Sequence, residues 1–79
     1  MNDKIAYRRK LKKIGRMCYD ARIKIGYRQS LVGLKIGTTQ QVISNFERGH
    51  STNEYIFIWY WKHILSDFDK KTILAMVDE

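Results

Sequence analysis

The sequence predicts an all-α fold, a compact domain of five helices whose first helix is extended. Three observations point there. Apolar residues recur at steps of three and four, the period of one helix face. The chain has no proline and five glycines, and Gly26, Gly37 and Gly49 stand between the periodic stretches as helix stops. Serine or threonine precedes several of these stretches, where a hydroxyl can accept from the free amides of a first turn.

The first helix is long. Tyr7, Leu11, Ile14, Cys18, Ala21 and Ile25 form one apolar stripe, while Arg8, Arg9, Lys12, Lys13, Arg16 and Lys24 occupy the other faces. Gly26 suits its C-terminal cap. A second helix, roughly 29–36, turns Val32, Gly33 and Ile36 inward and ends at Gly37. A third, about 40–48, has Val42, Ile43 and Phe46 as apolar positions, Thr39 as N-cap and Gly49 as stop. Ser51 and Glu54 have the spacing of a capping box, which opens a fourth helix in "EYIFIWYWKHIL". Its inner face is read as Tyr55, Ile58, Trp61 and Leu65. A last helix, about 67–77, starts near Ser66 and carries Phe68, Ile73, Leu74 and Val77 inward.

At 79 residues the chain is one domain, 1–79, with a small core and marginal stability. Its one cysteine, Cys18, rules out an internal disulfide and suits a reducing cytoplasm. One cysteine and two histidines, far apart in sequence, give no zinc spacing. No cofactor and no metal are expected. No apolar run is long enough for a membrane span, and no signal peptide is visible. The net charge of +7 is uneven: residues 1–35 hold eleven Lys/Arg against two acidic groups, and residues 36–79 hold four against six. A polyanion-facing half and a second half with another role are the expectation.

The middle of the chain carries the specific signal. Gln29, Gly33, Gly37, Ile43-Ser44, Glu47 and Gly49 stand at fixed spacings, the motif proper covering about residues 28–48. This pattern resembles the helix-turn-helix of the lambda/434 repressor and Cro group, also called the xenobiotic-response-element family, over about residues 14–65. That family commonly has alanine at the position of Gly33. The resemblance implies a lambda-repressor-like fold in which the third helix enters the major groove of DNA by its N-terminal residues.

By that likeness Gln40, Gln41 and Asn45 read bases, since glutamine can bond bidentately to adenine. Gln29 grips a phosphate with help from the second helix's N-terminus. Arg28, Thr39, Arg48 and His50 contact the DNA backbone, His50 being equally readable as a solvated loop residue. Arg22 and Glu47 pair and tie helices together. Gly33 lets the two motif helices cross closely, and Gly37 occupies the turn. Arg28 departs from the family's Ser, Thr or Asn cap, which weakens the cap and strengthens phosphate attraction. The basic extension, residues 1–10, either follows DNA phosphates or is a solvated helix face.

Two further departures bear on partners. Leu31 and Leu34 stand where the family has polar residues, so they rest under the first helix or form a contact surface. The fourth helix is apolar on every side, which leaves Ile56, Phe57, Trp59, Tyr60 and Ile64 as a candidate interface. A homodimer on a palindromic double-stranded operator is the first reading, and a different protein partner the second. The expected function is a small phage or mobile-element regulator, a Cro-like repressor without a second domain. The alternative is a protein-interaction module on the same fold, such as an antirepressor or antitoxin, with DNA binding secondary. No carboxylate pair, Cys-His or Ser-His setting or phosphate-binding glycine loop is visible, so an enzyme is not expected.

Overall fold

The computed structural model describes residues 2–78; Met1 and Glu79, the ends of the predicted domain, lie outside the described residues. Five helices follow one another: α1 (Asn2–Ile25), α2 (Gln29–Ile36), α3 (Gln40–Glu47), α4 (Glu54–His63) and α5 (Asp67–Val77). The described residues contain no strand. At a rise of 1.5 Å per residue the 24 residues of α1 span about 36 Å. That is the longest dimension of the molecule, 36 × 25 × 17 Å. α2 and α3 pack on each other, and α1 lies against α3 and α5.

The helix ends follow from local chemistry. Gly26, Gly37 and Gly49 all have positive φ. At Gly37 the αL turn lets the amides of Gly37 and Thr38 both reach Gly33 O at 2.8 Å, which closes α2. Thr39 caps α3 by accepting from Val42 N at 3.2 Å. Ser66 and Asp69 form a reciprocal capping box on α5. Arg28 makes no side-chain cap on α2, as its lack of an acceptor requires.

One core unites the helices: Cys18 and Ala21 from α1, Val32 from α2, Ile43 and Phe46 from α3, Ile56 and Tyr60 from α4, Ile64 and Leu65 after it, and Ile73 from α5. Small residues set the closest approaches. A Cβ on Gly15 would stand 2.5 Å from Glu47 O and 2.8 Å from Phe46 O, so α1 crosses the end of α3 with no room for alanine. A Cβ on Gly33 would meet Thr38 O at 3.0 Å, which makes the α2–α3 turn tight but less closed.

Several sequence expectations are corrected here. The start of α4 is capped by Asn53, whose side chain accepts from Ile56 N at 3.1 Å. Ser51 lies too far upstream to reach that turn, and its buried hydroxyl has no hydrogen-bond partner. The inner face of α4 is Ile56, Tyr60 and Ile64, while Tyr55 and Ile58 are exposed. Tyr60 and Ile64 are therefore core residues and leave the candidate interface; Phe57 and Trp59 are half-buried against the core. In α5 only Ile73 is buried, and Phe68, Leu74 and Val77 face outward. In α1 the stripe is buried at Cys18 and Ala21, but Tyr7 and Ile25 at its ends are exposed, because α1 overruns the helices it packs on. Leu31 and Leu34 are exposed as well, Leu34 at 78%, so α1 does not cover them.

Candidate functional site

The centre of the site is the carboxylate of Glu47, at the last turn of α3 and 4% exposed. Arg22 of α1 grips it in a fork, Nε to Oε2 at 2.7 Å and Nη2 to Oε1 at 3.0 Å. Gln29 Nε2 donates to Oε1 at 2.9 Å, and Tyr60 Oη donates to Oε2 at 2.5 Å. The remaining arm of Arg22 donates from Nη1 to Tyr27 O at 2.7 Å. A carboxylate offers about four acceptor sites, and all four are used. Four helices thus meet at one side chain.

The electrostatics follow. The hydrogen bond to Glu47 raises the Arg22 pKa, outweighing the opposing effect of burial, so the guanidinium keeps its charge inside the protein. Burial first, and the Glu47 hydrogen bond second, push the Tyr60 hydroxyl well above its ordinary value. Its proton is needed for the bond to Oε2. Burial likewise pushes the Cys18 thiol far up, which makes it a core residue with no thiolate chemistry at neutral pH.

This cluster fixes two surfaces. It holds Gln29 at the start of α2 by its amide nitrogen, and it holds α3 with Ile43, Phe46 and Glu47 buried. Gln40, Gln41, Thr39 and Arg48 are then exposed and Asn45 half-buried. Gln41 Nε2 and Arg48 Nη2 both donate to Asn45 Oδ1, at 3.2 and 3.1 Å. These bonds order the three side chains along one edge of α3.

Two hollows flank that edge. One is lined by Tyr19, Arg22, Ile23, Arg28, Gln29, Ser30 and Gln40. It brings Gln40 together with Arg28 and Gln29. The other is lined by Lys12, Arg16, Tyr19, Gln29, Ser44, Glu47 and Arg48. His50 is exposed in the turn after α3 and borders a separate hollow beside α1.

The sequence reading pairs Arg22 with Glu47 and misses the other two members, Gln29, which it gives to a phosphate, and Tyr60. The spacing of Glu47 to Tyr60 has no local signature, and an aromatic in an all-apolar helix reads as packing. It also misses Tyr19, which lines both hollows and has Arg16 over its ring at 5.2 Å. Among the described residues no group of three or more His, Cys, Asp or Glu is placed to hold a metal, and no helix is long and apolar enough to cross a membrane. Comparison with protein-family models, with curated proteins and with solved structures finds no match to this chain.

Proposed function

We propose that this chain is a sequence-specific regulator that binds double-stranded DNA through α3, acting in the cytoplasm in the manner of a compact phage or mobile-element repressor. One observation carries the reading. The buried Glu47 cluster turns α3 so that Gln40 and Gln41 are exposed and Asn45 is half-buried beside Gln41, with Arg48 bonded to Asn45 and Arg28 sharing a hollow with Gln40. Amide side chains on a helix edge match the donor and acceptor pattern of base edges in the major groove. Arginines at the margins match phosphates, which position the helix without reading sequence. Occupying an operator would exclude polymerase.

The test is selection of bound duplexes from random DNA. An enriched site is expected, palindromic if two copies bind together. On that site Gln40→Ala and Gln41→Ala each lose about 1–3 kcal/mol and leave non-specific binding nearly unchanged. Equal loss on every sequence sinks the base-reading role. A second reading, a protein-interaction module, draws on exposed apolar side chains: Leu34 on α2 and Phe68, Leu74 and Val77 on α5. Absence of any enriched sequence favours that reading.

A further inference from the structure

We infer that the outer face of α1 is a second phosphate-binding track, which holds duplex DNA beyond the base pairs that α3 covers. The inference rests on the DNA-binding reading and extends it.

Three hollows follow one another, each sharing lining residues with the next. The first reaches from Gln40 and Arg28 to Tyr19 and Gln29. The second shares Tyr19 and Gln29 and continues to Arg48, Arg16 and Lys12. The third shares Lys12 and continues along Arg8, Arg9 and Lys4, with Gly49 and His50 on its other bank. On α1 this side is Lys4, Arg8, Lys12 and Arg16, then Tyr19 and Ile23. Steps of four and three keep these residues on one helix face, so the row is a property of the helix and needs no special side-chain conformation.

The charge along the row is nearly all positive. Lys4, Arg8, Arg9, Lys12, Arg16, Arg28 and Arg48 are exposed. Among the described side chains, two carboxylates lie near it. Glu47 is spent inward on Arg22, Gln29 and Tyr60. Asp20 pairs with Arg16 at 3.2 Å in an exposed contact, which a phosphate can replace at little cost.

Backbone contact fixes the track relative to α3. A Cβ on Gly49 would stand 2.8 Å from Lys12 Cα, and one on Gly15 would stand 2.5 Å from Glu47 O. The stretch from Lys12 to Gly15 is therefore pressed on the end of α3 and the turn after it. From that crossing α1 continues as helix back to Asn2. Lys4 is eight residues before Lys12, about 12 Å further along the axis. That distance corresponds to roughly four base-pair steps of 3.4 Å. Phosphates of a duplex docked on α3 are the polyanion that a helical row in this register fits. A flat anionic surface would have no use for the register with α3.

The experiment compares the parent protein with a Lys4→Gln/Arg8→Gln/Lys12→Gln variant and with a charge-matched control, Lys62→Gln/Lys70→Gln/Lys71→Gln, whose residues line none of the three hollows. Each is titrated onto the selected duplex, trimmed flush to the site or extended by six arbitrary base pairs on each side, at several salt concentrations. Circular dichroism verifies that each variant folds. The parent is expected to bind the extended duplex more tightly than the trimmed one, and the α1 variant to lose that gain. The α1 variant's slope of log affinity against log salt falls by about 2.7, at about 0.9 per phosphate contact, while base preference is kept. The control keeps both the gain and most of the slope. An α1 variant indistinguishable from the control overturns the track while leaving the DNA reading standing. A parent without any sequence preference overturns both. Loss of binding to phosphatidylserine vesicles, with the DNA salt slope unchanged, also overturns it and reassigns the row to a membrane surface.

Discussion

Glu47 carries more of this molecule than any other single residue. Arg22, Gln29 and Tyr60 converge on its carboxylate from three other helices, and the side chains of Arg22 and Glu47 are 5% and 1% exposed. Buried charges are tolerable because each is matched. Removing one partner strands the other, which costs about 3–5 kcal/mol. A domain of this size has a total stability of roughly 4–12 kcal/mol, so the loss takes a large share of it. Glu47→Gln is expected to lower the unfolding free energy from urea titration by that amount. Tyr60→Phe, which removes one hydrogen bond to a charged acceptor, loses about 1.5–3 kcal/mol. A loss below about 1 kcal/mol for Glu47→Gln would mean that solvent reaches the cluster and compensates it. The same residue couples stability to the proposed interface, because Gln29 is oriented by its bond to Oε1.

Helix against helix, Gly15 decides how near α1 comes to α3. Inside a helix, alanine in place of glycine contributes about 1 kcal/mol. At Gly15 the added Cβ meets the Glu47 carbonyl at 2.5 Å, and backbone cannot swing away. Gly15→Ala is expected to lower stability by about 1–3 kcal/mol through the forced displacement. Gly33→Ala, whose nearest contact is 3.0 Å, has the propensity gain and the crowding nearly in balance. Thermal unfolding of the two variants separates them; a Gly15→Ala protein as stable as the parent would show that α1 slides freely on α3. At this scale the limits of sequence reading are physical. The spans of α2 and α5 and the caps at Thr39 and Ser66 were legible, since capping and glycine stops are local. The inward face of α4 was not, because "YIFIWYW" is apolar all round and its periodicity carries no phase. The phase comes from Tyr60, which turns inward to donate to Glu47. The Arg22–Glu47 pair was legible through family likeness, and the close approach at Gly15 depends on a tertiary crossing that no local pattern encodes.

Over the whole molecule, one core holds two weak acids away from water. Cys18 and Tyr60 are both 0% exposed, and burial raises the pKa of each above ordinary values of 9.0 and 10.0. In the unfolded chain both groups regain those ordinary values. Below pH 9 the two states bind the same protons at these sites, and stability does not depend on them. Above pH 9 the unfolded Cys18 releases a proton that the folded one keeps, and above pH 10 Tyr60 does the same. The unfolded state then binds fewer protons, so stability falls as pH rises, by up to about 1.4 kcal/mol per pH unit for each group. Between pH 9 and 11 the two together remove about 4 kcal/mol, comparable to the whole stability of so small a domain. Urea unfolding at pH 8, 9, 10 and 11 is expected to show a flat region, a first decline from pH 9 and a steeper one from pH 10. Tyr60→Phe starts lower at pH 8 because its hydrogen bond is gone, but it lacks the added decline above pH 10. Cys18→Ala lacks the decline between pH 9 and 10. If the Tyr60→Phe protein loses stability in parallel with the parent up to pH 11, the alkaline sensitivity arises elsewhere and the buried hydroxyl does not hold its proton as the core geometry requires.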